Sequence, residues 1–458
     1  MYAFYDFETT GISPAYDQPL QFAAILTDDN FNEIKSVNIR CKLAPHILPS
    51  PIALAITKVS PRELLDQDFT LYEFALELAK LTSEWAPATW VGYNSLSFDE
   101  NVMRHLFYQN LVPNIFRTQI DGNTRLDVMK LVMACWAFGS KALDIPVNEK
   151  GKQTIKLDQL APLNGFDDHH AHDALGDVRA TIHVAQIIRN KAPEIWNQVA
   201  ANLNRAKLLN DLKSGRVYHF VDRFGASGVG VQTGVYCGTN SQNDKRIGFL
   251  NLAGKGIDSL LTADNSVIEK AVSASPLLIR SIDIGAMPLL FPANDVPADA
   301  LQLAAQFSAQ TELCERVGQM LAARYANLEP PSQVEDRIYE KFYSRADELK
   351  LSLFHKVPWE ERAAILLEIT DDRPRELGYR LLTIYAPESV DAETKHLFWD
   401  KIAKRWNGDE FYGTDAKSPG NTYASVDKSI LEIESGGKFR LEAALLTEIR
   451  EFYGKRRL

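Results

Sequence analysis

The chain has 458 residues, of which 45% are hydrophobic and 24% are charged, so it can bury more than one core. Domains typically run about 100–200 residues, which predicts two or three of them. The net charge of −10 argues against a protein that coats nucleic acid nonspecifically. It is compatible with a nuclease, because bound metals and local cations set the field in a cleft.

The cysteines, Cys41, Cys135, Cys237 and Cys314, are far apart and form no CxxC pair. This spacing argues against a disulfide framework or a zinc site and is typical of a reducing compartment. The first residues contain no basic segment followed by an apolar core, and no stretch approaches the roughly 20 apolar residues of a membrane span. We therefore expect a soluble cytoplasmic protein.

Strand and helix patterns alternate over residues 1–190. Strands are predicted over 20–27, 37–43 and 89–93, and helices over 72–85, 98–108, 125–138 and 178–188. Alternation of this kind is typical of a mixed α/β layer fold.

The pattern changes after residue 190. Residues 210–258 carry many glycines and short β-branched or aromatic runs, which predict a small β-barrel or curled sheet. Glu329-Pro330-Pro331-Ser332 is the best linker. Helical spacing is found over 267–273, 298–328, 336–342, 359–369, 392–405 and 441–452. The sequence thus predicts three domains: 1–190, 191–330 and a helical domain over 334–458.

Asp6 and Glu8 lie two residues apart in an aromatic stretch near the start of the chain. On a strand, residues i and i+2 face the same side, so the two carboxylates point together. Two such groups repel unless one takes a proton or a cation lies between them. A solvated strand end or a turn is the alternative interpretation.

Three further motifs accompany this pair. Thr9-Thr10-Gly11 forms a turn directly after the first acids, and Asn94-x-x-x-Phe98-Asp99 lies where a strand gives way to a helix. His172 precedes Asp177 by five residues at the start of another helix. On one continuous helix these two would point roughly 140° apart, so we expect His172 on the loop or first turn.

This set of residues suits phosphodiester hydrolysis with two divalent metals. Asp6 would bridge the metals, Glu8 and Asp177 would complete one shell, and Asp99 would hold the second metal directly or through water. His172 is the candidate base for the remaining proton. Each motif also has a simpler interpretation: Asp99 as an acid at a helix N-terminus, Asn94 as the cap of a turn, and residues 167–173 as a polar loop.

These motifs resemble the DEDDh superfamily of 3′→5′ exonucleases, and the chain resembles the bacterial exonuclease I family over essentially its full length. Tyr5-Asp6-Phe7-Glu8-Thr9, Gly92-Tyr93-Asn94, Phe98-Asp99 and Ala171-His172-Asp173-Ala174 carry the resemblance, with Gln21-Phe22-Ala23-Ala24-Ile25 and Asp127-Val128-Met129. The family plan implies a ribonuclease H-like α/β nuclease domain, an SH3-like domain and a C-terminal helical domain around single-stranded DNA.

The resemblance implies processive, Mg²⁺-dependent release of 5′-mononucleotides from single-stranded DNA, in DNA repair and recombination, with Mn²⁺ as another possible metal. It makes Asp6, Glu8, Asp99 and Asp177 the carboxylates of two metal ions and His172 the general base. It implies substrate contacts by these residues: Glu8, Thr9, Thr10, Asn94, Arg104, Lys130 and Lys156.

Some positions depart from the family pattern. Lys130 and Lys156 fall where arginines are expected, and lysine keeps the charge but loses the bidentate fork. The segment 114–124 is shorter and poorer in aromatic residues, so base stacking there is reduced or is supplied by a residue such as Phe116.

The family also implies a partner, the acidic, phenylalanine-ended tail of single-stranded DNA-binding protein. The basic residues of 205–223 and Lys455-Arg456-Arg457 are candidates for that contact, and a solvated charged face is the alternative for each. We expect a monomer, because a chain that encircles DNA by itself needs no partner subunit. A 3′ exoribonuclease and a non-catalytic DNA-end binding module are the alternative functions.

Overall fold

The computed structural model describes residues 1–167, 173–225, 228–324, 330–409, 420–436 and 441–456. The chain divides into two compact units. Unit 1 contains Met1–Thr124, His170–Arg179 and Pro330–Leu458, and unit 2 contains Arg125–His169 and Ala180–Glu329. The first and last parts of the chain thus fold together, and the three-domain division stays a prediction.

The first sheet contains five strands, β1 to β5, in the order β3-β2-β1-β4-β5. They span Tyr2–Thr9, Pro19–Thr27, Glu33–Arg40, Thr89–Gly92 and Thr124–Asp127. Strands β1, β2 and β3 are antiparallel, and β4 lies parallel to β1. This is the mixed sheet that the sequence predicts, although β3 ends before residues 41–43 and β5 occupies the start of the helix predicted over 125–138.

Strand β1 separates apolar from acidic side chains by its period of two. Tyr5 and Phe7 belong to the main core of unit 1, where the Phe7 ring lies 4.9 Å from that of Phe22. The intervening Asp6 and the following Glu8 are only half-buried. The alternation therefore places both carboxylates on the face opposite this core.

Four helices follow within the first part of unit 1: α1 (Pro51–Thr57), α2 (Pro61–Leu65), α3 (Leu71–Glu84) and α4 (Asp99–Gln109). Thr70 caps α3 with a reciprocal pair of hydrogen bonds to its third residue, which satisfies backbone N–H groups at that end. The helices predicted over 72–85 and 98–108 are confirmed.

Helices of unit 2 and the boundary come next. Helix α7 (Ala174–Lys191) starts in unit 1 and continues into unit 2. The others are α5 (Val128–Ala137), α6 (Leu157–Leu163), α8 (Pro193–Asn202), α9 (Arg205–Lys213), α10 (Asn265–Ser273), α11 (Ala298–Ala309) and α12 (Thr311–Ala323).

The sheet of unit 2 is antiparallel throughout, in the order β10-β6-β7-β8-β9. Its strands β6 to β10 span Tyr218–Arg223, Val229–Thr239, Arg246–Asn251, Ile279–Asp283 and Leu290–Pro292. Gly238 lies in β7 with φ +140°, where a Cβ would come within 2.3 Å of the Cys314 carbonyl oxygen. Glycine at this position allows α12 to pack closely against the strand.

The C-terminal part of unit 1 is helical, as predicted. Its helices are α13 (Arg345–Phe354), α14 (Arg362–Leu367), α15 (Asp372–Tyr385), α16 (Ala392–Asn407), α17 (Tyr423–Glu434) and α18 (Ala443–Lys455). Trp406, Ile449 and Tyr453 from these helices are buried in the same core as Tyr5 and Phe7. The C-terminal helices therefore support the strand that carries Asp6 and Glu8.

Among the described residues, no helix combines the length and apolar character that crossing a membrane would require.

Candidate active site

Three carboxylates predicted to act together are adjacent in the structure. Asp6 and Glu8 project from β1, and Asp177 comes from the first turn of α7. One carboxylate oxygen from each residue lies within 4.8 Å of the others, which is close enough for one cation to bind all three. Their all-oxygen character suits a hard divalent cation.

Asp99 completes this acidic cluster from α4. It is buried at the first position of the helix, and its Oδ1 accepts a hydrogen bond from the Phe7 N–H at 3.1 Å. That amide lies between Asp6 and Glu8, so the backbone of β1 fixes the carboxylate of Asp99 beside theirs. Asp99 is thus both an acid at a helix N-terminus and a member of the predicted site.

Burial and neighbouring acids raise the pKa values of two of these carboxylates, Asp6 and Glu8. Burial raises the pKa of Asp6 well above its usual value, and the charges of Asp99, Glu8 and Asp177 raise it further. Burial and the neighbouring Asp177 and Asp99 raise the pKa of Glu8 to about 8, while Arg40 opposes the shift. Carboxylates with raised pKa values lose their protons more readily when a cation binds beside them, so such a cluster favours cation binding.

Asp173 lies near this cluster, although its sequence pattern favours a polar loop. Its charge raises the pKa values of Asp6 and Glu8, and its Oδ1 accepts a hydrogen bond from Gln21 Nε2 at 2.9 Å. Gln21 pairs with Glu8 across the sheet. The sequence contains a sign of this proximity, because Asp173 and Asp177 are four residues apart and residues at that spacing lie on the same face of a helix.

The turn after β1 is rigid. Thr10 is 0% exposed, and its hydroxyl donates to Asp17 Oδ1 and accepts from the Gln18 N–H, each at 2.9 Å. Thr9 Oγ1 donates to the Gly11 carbonyl at 2.6 Å. The Thr10 side chain therefore holds the turn, Thr9 is half-buried, and the nucleotide contacts of both residues stay a prediction.

Asn94 follows β4 in a left-handed conformation with φ 63°, which asparagine tolerates better than most residues. Its carbonyl accepts the Ser97 N–H at 3.1 Å, so it closes the turn that leads to Asp99. This turn-forming role agrees with the simpler interpretation of Asn94, and its predicted substrate contact stays a prediction.

An aromatic groove lies in unit 1. It has a volume of about 500 Å³ and is lined by residues that include Phe116, Tyr339 and Phe342. Tyr339 is 53% exposed and Phe342 is 85% exposed, which is unusual for large apolar rings. The guanidinium of Arg104 lies 5.2 Å from the centre of the Phe116 ring.

The predicted basic contacts differ in their surroundings. Lys130 is half-buried in unit 2, and its Nζ donates to the carbonyls of Ala286 at 2.6 Å and Met287 at 3.0 Å. Burial lowers its pKa. Lys156 is exposed at the N-terminus of α6. His172 lies outside the described residues.

This chain is similar to known exonucleases. The RNase_T exonuclease family matches residues 3–185. Exodeoxyribonuclease I of Escherichia coli K12 is 29% identical over 414 residues, covering 85% of this chain and 86% of that protein. Exodeoxyribonuclease I of Haemophilus influenzae is 29% identical over 401 residues, covering 81% and 84%.

Solved structures share the fold. Escherichia coli exonuclease I in complex with a dT13 oligonucleotide has a TM-score of 0.81 at 23% identity, covering 99% of both chains. Exonuclease I from Methylocaldum szegediense has a TM-score of 0.81 at 24% identity, covering 100% of this chain and 99% of that one. The acidic cluster lies inside the residues that the exonuclease family matches, and the chain is similar over most of its length to exodeoxyribonuclease I.

Proposed function

We propose that this protein is a 3′→5′ exonuclease that degrades single-stranded DNA processively to 5′-mononucleotides by two-metal-ion hydrolysis, in DNA repair and recombination. The observation that carries the proposal is the convergence of Asp6, Glu8 and Asp177 beside the buried Asp99. This cluster belongs to a chain related over most of its length to exodeoxyribonuclease I.

The residues fit two divalent cations, for which we propose Mg²⁺ with Mn²⁺ as a substitute. Asp6, Glu8, Asp99 and Asp177 supply only oxygen ligands, and burial together with the neighbouring acids raises the pKa values of Asp6 and Glu8, as expected where carboxylates are gathered for a cation. When bound, such ions would supply the positive charge that activates water and stabilises the leaving oxygen.

We assign the general base to His172. Imidazole has a usual pKa near 6.5, so at neutral pH it can accept the proton of the attacking water. The position rests on the family resemblance and on its place five residues before Asp177. Replacing His172 with Ala should slow hydrolysis by about 10²–10⁴-fold without loss of metal binding.

The aromatic groove supports a single-stranded substrate. Exposed rings such as Tyr339 and Phe342 can stack on bases, and each stacked base contributes roughly 1–3 kcal/mol. A duplex hides the base faces, so this gain is available only to a single strand. Arg104, beside Phe116, supplies a cation for the phosphate backbone.

The function is tested with 5′-labelled single-stranded DNA, duplex DNA and RNA of equal length. We expect a ladder that shortens from the 3′ end of single-stranded DNA with Mg²⁺, and no cleavage with chelator. Asp177→Asn should abolish cleavage yet retain binding in Ca²⁺. Preference for RNA would establish an exoribonuclease instead, and undiminished cleavage by the variant would refute the assigned site.

Two further features belong to this proposal. The antiparallel sheet of unit 2 would be the SH3-like domain of the family. The acidic, phenylalanine-ended tail of single-stranded DNA-binding protein would bind the monomeric enzyme, with the basic residues of 205–223 as its candidate contact. Fluorescence anisotropy with the tail peptide, and with a peptide lacking the terminal phenylalanine, tests this; equal affinity for both would refute it.

A further inference from the structure

We propose that Glu100 is a positioning residue for the reaction, which holds the guanidinium of Arg104 between the metal-binding carboxylates and the aromatic groove. The inference rests on the proposed function, since it assigns Arg104 to a phosphate of the same substrate. It adds a buried residue that acts on the substrate through Arg104.

The carboxylate of Glu100 joins three elements of unit 1. It is 1% exposed, and its Oε1 accepts a hydrogen bond from Tyr5 Oη at 3.1 Å. Its Oε2 accepts from Thr118 Oγ1 at 3.0 Å and from Arg104 Nη2 at 3.2 Å. Strand β1, helix α4 and the 3₁₀ turn at Arg117–Gln119 therefore meet at one charged group.

Glu100 is adjacent in sequence to Asp99 but faces elsewhere. Successive helical residues are separated by about 100°, so the two carboxylates diverge. Asp99 accepts a hydrogen bond from the β1 backbone between Asp6 and Glu8. Glu100 instead accepts hydrogen bonds from the side chains of Tyr5 and Thr118. A buried carboxylate is costly unless paired, and the pairing here is with Arg104.

Arg104 is held in turn against the groove. Its Nη1 donates to Tyr339 Oη at 3.3 Å, and its guanidinium lies 5.2 Å from the Phe116 ring centre. The side chain as a whole is 15% exposed. Arg104 follows Asp99 by five residues, about 7.5 Å along the helix axis.

The ion pair therefore pre-organises a flexible cation. A free arginine side chain loses considerable rotamer entropy when it binds a phosphate, and Glu100 removes that cost in advance. An interaction that holds a phosphate away from the reacting bond affects the bound substrate and the transition state alike. Loss of Glu100 should therefore raise KM and leave kcat nearly unchanged.

The test compares Glu100→Gln with Arg104→Gln. In place of Glu100, glutamine keeps the volume and a hydrogen-bond acceptor but removes the charge, and in place of Arg104 it removes the charge and shortens the side chain. We expect each variant to raise KM for single-stranded DNA about tenfold, the worth of one hydrogen bond to a charged group, with kcat changed less than about twofold. The salt dependence of log KM should become shallower by about 0.7 in each, for one lost phosphate contact.

The double variant separates positioning from a general structural role. If Glu100 acts through Arg104, the double variant raises KM no more than Arg104→Gln alone. Multiplying effects, or an E100Q variant with unchanged KM and salt dependence, would overturn the proposal. Glu77→Gln on the exposed face of α3 is the matched control, because it changes the net charge equally away from the site.

Two milder variants keep the test open if E100Q fails to fold. Tyr5→Phe and Thr118→Val each remove one donor to Glu100 and leave its charge in place. Each should raise KM a few-fold with kcat retained, and unchanged KM in both would overturn the proposal. Failure of the proposed function would appear in the wild type as absent hydrolysis; oligonucleotide binding in Ca²⁺ would then decide whether E100Q and R104Q weaken the same contact.

Discussion

Unit 1 buries carboxylates at two places with opposite consequences. At the candidate active site, burial and neighbouring acids raise the pKa of Glu8 to about 8. At Glu335 burial also acts to raise the pKa, but Arg405 at 2.8 Å and Arg380 at 3.5 Å overcome it and lower the pKa to about 2. The carboxylate charge is therefore opposed by neighbouring acids in one place and balanced by arginines in the other.

The two places differ in the charge of the residues that surround the carboxylates. Around Glu335 the fold supplies its own cations, as structural ion pairs do. Around Asp6 and Glu8 it gathers Asp99, Asp173 and Asp177, with Arg40 as an opposing charge. A group of acids that raises the pKa values of Asp6 and Glu8, within the residues that the exonuclease family matches, is the arrangement expected of a metal site.

We expect the largest effect from Asp6→Asn, because it removes a carboxylate that is surrounded by the other acids of the active site. Hydrolysis should fall by more than the roughly 10–100-fold that replacing a partner of a metal ligand costs. The metal-free variant should melt at a higher temperature than the metal-free wild type, since like-charge repulsion is relieved. Thermal scans with chelator measure this, and a lower melting temperature would contradict it.

Glu335→Gln removes the carboxylate that pairs with Arg380 and Arg405. It leaves Arg380 and Arg405 buried without their shared counter-charge, which should cost about 3–5 kcal/mol of unfolding free energy. Urea titration measures the loss. Glu348→Gln is the control, because the exposed pair of Glu348 with Arg345 should contribute only about 0–1 kcal/mol. Equal losses in both variants would contradict the distinction between the two sites.

The raised pKa of Glu8 predicts how pH affects the stability of the metal-free protein. The ordinary pKa of Glu8 is 4.5 and its folded value is about 8, so the folded state retains a proton that the unfolded chain releases. Stability should therefore fall as pH rises from about 5 to about 8. Saturating Mg²⁺ should flatten this slope, and an unchanged slope with Mg²⁺ would argue against metal binding at these carboxylates.

His355 should give the opposite dependence. Its Nδ1 is 2.7 Å from Tyr72 Oη, and its Nε2 is 2.8 Å from the Leu111 carbonyl oxygen. Burial lowers its pKa from 6.5 to about 4, so this neutral contact is lost as pH falls through that range. His355→Asn should cost about 1 kcal/mol at pH 7.5. In urea titrations the cost should shrink toward pH 5, and a constant cost would contradict the assignment.

Much of the site could be predicted from local sequence. The alternation of β1 placed Asp6 and Glu8 together, and the strand-to-helix change after Asn94 placed Asp99 at the start of α4. These features depend on periods of two and 3.6 residues, which neighbouring residues determine. The aromatic strands and most helices were predictable for the same reason.

Other features depend on contacts between distant segments. Glu100 resembles any acid in a first helical turn until Tyr5 and Thr118 are brought to it. The C-terminal helices share the core of β1 because Trp406 and Tyr453 fold back onto it. Periodicity identifies an apolar face but does not identify its partner. The predicted domain boundaries therefore cut the chain differently from its compact units.

Arg40 offers the smallest and most discriminating change. It pairs in register with Gln21, which pairs with Glu8, so all three side chains share the face of the acidic cluster. Arg40→Gln should strengthen Mg²⁺ binding about two- to fivefold, the scale of one partly exposed charge interaction, and should weaken binding of the anionic oligonucleotide to a similar extent.

Calorimetry with Mg²⁺ and oligonucleotide binding in Ca²⁺ measure the two affinities separately, with Lys35→Gln on exposed β3 as the charge-matched control. If the Mg²⁺ affinity rises and the oligonucleotide affinity falls, Arg40 balances part of the negative charge of the carboxylates, as Arg405 does for Glu335. If both affinities fell together, Arg40 would instead stabilise the sheet. In that case the contrast between the two clusters would lie only in how many acids each contains.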